Sequence, residues 1–112
     1  MSNIKIFRAN RGEGKTKWLV ERAFEAYSQG ITPIYVGLSR DFDIIRDVWR
    51  GVIGTICPIK YIEQCSHISF EESCFLTDDL FENVSDVSFW GNDILKHRCD
   101  WYITMSKEDF VN

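Results

Sequence analysis

Proline is scarce in this chain: only Pro33 and Pro58 occur, so few positions forbid regular structure. Long apolar runs are missing too. None approaches the roughly 18 residues that a membrane-crossing helix requires, so no membrane contact is expected. No apolar segment with a cleavage site follows Met1, which argues against a secretory leader and for a cytoplasmic protein. The four cysteines, Cys57, Cys65, Cys74 and Cys99, include no C-x-x-C pair. Cys65 and His67 stand two apart without a second close pair, so a structural zinc site is not expected. Reduced, mostly buried thiols are the better reading. Positive charge is short as well, with 13 Lys and Arg against 17 Asp and Glu. That balance excludes the broad basic face of an autonomous nucleic-acid binder. No repeat, low-complexity tract or linker divides the chain, so residues 1–112 are read as one domain.

Charge is unevenly spread. Residues 1–60 hold ten Lys and Arg against six Asp and Glu, whereas residues 61–112 hold three against eleven. A local basic face in the first half and an acidic, protein-binding face in the second are both compatible with this split.

The hydrophobic pattern alternates between strand and helix periods. Residues 4–8 alternate and are β-rich, so they read as a first strand. After a turn at residues 10–14, residues 15–29 carry Leu19, Ala23, Ala26 and Tyr27 on one stripe, flanked by Trp18 and Phe24. This predicts a helix closed by Gly30. Residues 33–38 predict a strand buried on both faces. Ser39 or Asp41 is expected to cap a second helix reaching about Arg50, with Phe42, Ile45, Val48 and Trp49 inward. Residues 56–62 suggest an extra strand that Pro58 weakens or confines to an edge. Residues 74–77 form a short apolar strand ending in Asp78 and Asp79. A helix is expected within residues 86–97, a last strand over residues 101–105, and a helix start at residues 106–109. Strands alternating with helices predict a three-layer α/β fold on a small, mainly parallel sheet. Its four core strands are expected in spatial order 2-3-4-1, with ligands at the strands' carboxyl ends.

Residues 9–16, Ala9-Asn10-Arg11-Gly12-Glu13-Gly14-Lys15-Thr16, fit the phosphate-loop (Walker A) pattern, with Ala9 in place of the first glycine. Glycines at 12 and 14 let the backbone curl around an anion. Main-chain N–H groups and the following helix's positive end then face phosphate oxygens. Lys15 would reach the β- and γ-phosphates, and Thr16 would ligate magnesium; Lys17 completes the binding segment. The plainer reading is a glycine-rich strand-to-helix turn with no ligand. Asp78 is the expected second magnesium ligand. Asp79 is the expected base, or else both aspartates cap a helix beginning at Leu80. Glu82, a turn later, is a weaker candidate.

Together these residues resemble the P-loop NTPases of the additional-strand class, which include RecA-like motors, helicases and viral DNA-packaging terminases. The Arg11-Gly12-x-Gly14-Lys15-Thr16 core and the strand Pro33-Ile34-Tyr35-Val36-Gly37-Leu38 look most like phage terminase ATPase domains. The resemblance implies a viral setting in a host cytoplasm. It implies a γ-phosphate sensor at Arg11, where an exposed loop cation is the alternative, and a polar sensor at Thr104 or Ser106. Two departures stand out. Asp79 replaces the family's glutamate, and no fifth core strand follows Met105.

Other residues carry less. Trp18, Trp49, Trp90 and Trp101 are expected to pack in the core rather than stack on bases. His67 and His97 lack the partners of a catalytic triad. Arg40, Arg46 and Arg50 form either a basic stripe or an ordinary solvated helix face. The expectation is a magnesium-dependent ATPase or GTPase of low turnover in a nucleic-acid-related process, active alone or as a homo-oligomer. The alternative is a non-catalytic regulator that uses the same fold to bind a host or phage protein. A nucleotide kinase is disfavoured, because no lid or acceptor-binding segment is evident.

Overall fold

The computed structural model describes residues 4–80, 83–96 and 99–107. Five strands form one sheet: β1 (Ile4–Ala9), β2 (Thr32–Tyr35), β3 (Lys60–Tyr61), β4 (Ser73–Thr77) and β5 (Asp100–Ser106). They lie in the order β1-β5-β4-β2-β3, and every neighbouring pair is parallel. Three α-helices accompany them: α1 (Lys15–Ser28), α2 (Ser39–Val52) and α3 (Val84–Lys96). Setting β3 aside, the four longer strands lie as β2-β4-β5-β1, the 2-3-4-1 order expected from the sequence.

The strand period of two sorts the core into two halves. Tyr35 and Leu76 point to one face and pack with Leu19, Val20 and Ala23 of α1 and Phe42, Ile45 and Trp49 of α2. Ile34, Val36 and Phe75 point to the other and join Trp101, Ile103 and Met105 against Ile94 of α3. Helices thus cover both faces, making an α/β molecule of three layers. Each fully buried large side chain, such as Trp49 or Phe75, contributes about 1.5–3 kcal/mol by leaving water.

Several sequence expectations need correction. Tyr27 is exposed rather than on the inward stripe of α1, and Val20 takes its place in the core. Gly30 (φ 82°) does close α1: its N–H donates to the Tyr27 carbonyl, and that of Ile31 to Ala26. Neither Ser39 nor Asp41 caps α2; the residue before it, Leu38, has no side chain able to do so. The expected strand over residues 56–62 shrinks to Lys60–Tyr61 at the sheet edge, with Ile56 almost fully exposed. Proline at 58 donates no ladder bond, and this accounts for the late start. Ser106 belongs to β5, Lys107 opens a 3-10 turn directly after it, and residues 108–112 lie outside the described residues. Arg40, Arg46 and Arg50 are exposed on α2, with Arg40 facing Asp41 at 4.0 Å and Arg46 facing Asp43 at 3.9 Å. Acidic neighbours therefore offset that stripe.

No helix among the described residues is long and apolar enough to cross a membrane.

Candidate functional site

The edge strand β1 ends at the buried Ala9, and the chain then turns through residues 10–14 into α1. Glu13 closes the turn twice. Its amide donates to the Asn10 carbonyl at 3.1 Å, and its carboxylate accepts the Asn10 N–H. Gly12 (φ 81°) and Gly14 (φ 89°) occupy the left-handed region. A Cβ at either would meet nothing, so backbone conformation rather than crowding requires glycine there.

Helix α1 begins without a side-chain cap. Its first helical bond runs from the Trp18 N–H to the Gly14 carbonyl at 2.9 Å. The amides of Lys15, Thr16 and Lys17 therefore lie at the helix's positive end, ahead of the intrahelical ladder. Trp18 anchors this end: its ring stacks on Phe7 of β1 at 5.3 Å and meets Tyr102 of β5 edge-on at 6.4 Å. The loop is thus strung between two packed elements.

Facing it are the ends of β4 and β5. The Thr16 hydroxyl donates to Asp78 Oδ2 at 2.7 Å. The Thr104 hydroxyl donates to Asp78 Oδ1 and accepts the Asp79 N–H at 2.9 Å. Lys15 Nζ lies 2.8 Å from Asp79 Oδ1. Asp79 itself has φ 49°, the only described non-glycine residue with positive φ. Aspartate tolerates that region better than most residues, at a cost of order 1 kcal/mol. Asp78 and Asp79 do not cap a helix at Leu80, since α3 begins at Val84.

Burial pushes the Asp78 carboxyl above its ordinary range; Asp79 adds to the rise, while the Thr104 and Thr16 hydrogen bonds and Lys15 oppose it. A partly desolvated carboxylate beside a hydroxyl is a hard-oxygen donor pair suited to magnesium. Among the described residues no group of three or more His, Cys, Asp or Glu side chains is arranged to hold a metal ion by itself. A cation here would complete its shell with phosphate oxygens and water, as magnesium characteristically does.

The expected residues do not all converge. Lys15, Thr16, Asp78, Asp79 and Thr104 meet. Ser106 lies two residues beyond Thr104, opposite Ala9 in the sheet. Asn10, Arg11 and Lys17 are exposed on or next to the loop. Glu82 and His97 lie outside the described residues. His67 is exposed and lines a polar hollow of about 350 Å³ with Lys60, Gln64, Cys65 and Ser66, on the far side of the sheet from β1. All four cysteines are free thiols.

Sequence reasoning missed the support beneath the aspartates. Tyr35, buried in β2, offers its hydroxyl to the Asp78 N–H at 3.4 Å. Asn83 is almost wholly buried and joins the end of β4 to the start of α2. Tyrosine inside an otherwise aliphatic strand was a signal for the first. A lone asparagine at a helix start gave none for the second, because its usual task there is capping.

Compared with known proteins, the chain matches no family model, no curated protein and no solved structure.

Proposed function

We propose that the chain binds a nucleoside triphosphate, ATP or GTP, together with magnesium in the loop of residues 9–16, and hydrolyses it slowly. One observation carries this reading: Thr16 and Asp78, far apart in sequence, meet at 2.7 Å beside the uncapped start of α1. A glycine-rich turn with no ligand has no need to bring a buried carboxylate to that point. The P-loop NTPase assignment belongs to the same proposal. A strand–loop–helix unit at the sheet edge, with the carboxylates two strands away, supports it.

In this reading the amides at the start of α1 surround the β-phosphate. Lys15 leaves Asp79 and pairs with the β- and γ-phosphate oxygens. Magnesium, held by Thr16 and Asp78, would neutralise charge developing on the phosphates. Thr104 holds Asp78 in place and fixes the Asp79 amide. Once free of Lys15, Asp79 orients a water for attack on the γ-phosphorus and accepts its proton, while the bond from that phosphorus to the β–γ bridging oxygen breaks and the nucleoside diphosphate leaves. Arg11, on the exposed loop, is the candidate sensor of the γ-phosphate.

A second reading has its own observation. Asp79, the residue that would serve as base, is paired with Lys15. A site that keeps this pair would bind nucleotide without turnover and act as a regulator. Binding of a fluorescent ATP analogue with and without magnesium, followed by phosphate release, separates the two. Loss of binding in Lys15→Ala by about tenfold or more supports the nucleotide site. Turnover lost in Asp79→Asn supports the enzyme, whereas binding without turnover in the unmodified chain supports the regulator. Absence of magnesium-dependent binding in the unmodified chain removes both.

A further inference from the structure

Asn83 stands immediately before α3, and its carbonyl accepts that helix's Val87 N–H at 3.0 Å. An asparagine in this place ordinarily turns its side-chain oxygen back onto its own helix. Here Asn83 Oδ1 accepts the N–H of Leu38, the residue preceding α2, at 2.7 Å. Its Nδ2 donates to the Asp78 carbonyl at 2.6 Å, with longer contacts to the Asp79 carbonyl at 3.4 Å and to Asp41 Oδ2 at 3.3 Å. An amide N–H faces one end and carbonyls face the other, so the orientation of the side chain is fixed by its partners.

The surroundings are shaped for this side chain. Asn83 is about 1% exposed. A Cβ on Gly37 would stand 2.7 Å from Asn83 Oδ1 and 2.9 Å from the Tyr35 hydroxyl, so only glycine admits the asparagine so closely. The Gly37 carbonyl is held in turn by the Tyr61 hydroxyl at 2.6 Å. A buried amide with every polar atom engaged is costly to leave half-satisfied. These partners include the peptide carbonyls of both aspartates, on either side of the left-handed bend at Asp79.

We propose that Asn83 is the positioning residue of the metal carboxylate: it braces the Asp78–Asp79 corner against the start of α2. This rests on the proposed magnesium-nucleotide site and deepens it. The brace acts through Asp78 and Asp79, not on the phosphates. It governs the part of nucleotide binding that depends on magnesium and leaves the part made by the loop amides alone. Because the same side chain holds the Leu38 N–H, loading the site also steadies the start of α2.

The test compares the unmodified chain with Asn83→Ala and with Asn83→Ser, whose hydroxyl can still serve one partner should the alanine variant fold poorly. Binding of a fluorescent ATP analogue is titrated without magnesium and across a magnesium series, and exchange of the Leu38 amide is followed by NMR. In Asn83→Ala, metal-free binding is expected to stay within about twofold, while the gain from magnesium falls about tenfold, as for loss of a buried hydrogen-bonded brace. Asn83→Ser falls between. The Leu38 amide exchanges more slowly on loading in the unmodified chain and shows no such slowing in Asn83→Ala. Equal loss of metal-free and magnesium-dependent binding, or an unchanged magnesium gain, overturns the positioning role and leaves the nucleotide site standing. No magnesium gain in the unmodified chain overturns the nucleotide site, and the positioning role with it.

Discussion

Asp78 accepts a 2.7 Å hydrogen bond from the Thr16 hydroxyl and a second from Thr104, so one carboxylate ties the first turn of α1 to the end of β5. The hydroxyls compensate only part of its desolvation, since burial still raises its proton affinity. A structural carboxylate is normally stabilised by its setting; this one is disfavoured in its charged form by burial.

Asp78→Asn is therefore expected to stabilise the ligand-free protein. The raised pKa means that folding favours the protonated acid. Its contribution is full below the unfolded value of about 3.9 and is lost as pH rises past it. At pH 7 the variant should melt about 2–5 °C above the unmodified chain, a difference that disappears near pH 3. Magnesium nucleotide should reverse the order at pH 7, because only the unmodified chain retains the ligand. Thermal melts at both pH values check this, and a less stable variant at pH 7 in the absence of ligand would refute it.

The Lys15–Asp79 pair makes the opposite kind of prediction for its neighbour. Asp79 competes with phosphate for the Lys15 ammonium, which is mostly buried, while Asp79 is 38% exposed. Screening by solvent limits such a pair to about 0.2–1 kcal/mol. Asp79→Asn should thus bind magnesium nucleotide about two- to fivefold more tightly while releasing phosphate more slowly. Equilibrium binding and single-turnover assays read the two effects separately. Weaker binding would show that Asp79 supports the ligand rather than competing with it.

The strand–loop–helix unit was legible because the hydrophobic period changes from two to 3.6 across glycines at 12 and 14, which have no other local use. The end of β4 was legible because an apolar run stops at two aspartates. What escaped was tertiary. Asn83 serves α2 and β4 from the start of α3, and no periodic signal links residues 38, 78 and 83. Glycine at 37 was read as part of the second strand, whereas its missing Cβ makes room for Asn83 and Tyr35. The start of α2 was assigned to Ser39 or Asp41 because local capping is the usual solution, and here a distant side chain receives the Leu38 N–H.

Glu13 places a negative charge inside the loop proposed to hold phosphate, and its carboxylate already takes the Asn10 N–H. Glu13→Gln keeps an acceptor for that N–H and removes the charge. Nucleotide affinity is expected to rise about threefold, the size of an exposed charge–charge interaction, and the gain should shrink in high salt. Titrations at two ionic strengths decide it. Weakened binding at both would mean that the carboxylate organises the loop beyond what an amide can do.

The cysteines give a prediction independent of any ligand. Burial is the main cause pushing up all four thiols, and Cys74 reaches about 12, helped by Asp100 and Cys99. Thiolate is the reactive form, so Cys74 should resist alkylation in the folded chain at pH 8. Half-buried Cys57 and Cys65 should react first, and Cys74 only as the protein opens. The same shift has a stability consequence. A raised folded pKa contributes fully below the unfolded value of about 8.5 and is lost as pH climbs toward the folded one. Melting temperature should hold steady to about pH 8.5 and then fall through pH 9–12, with Tyr35 and Tyr102 adding to the decline because burial raises their pKa values too. Mass spectrometry of timed alkylation, paired with melts across that range, tests both halves. Early labelling of Cys74 at pH 8 in a fully folded sample would contradict the packing of β4 at the centre of the sheet.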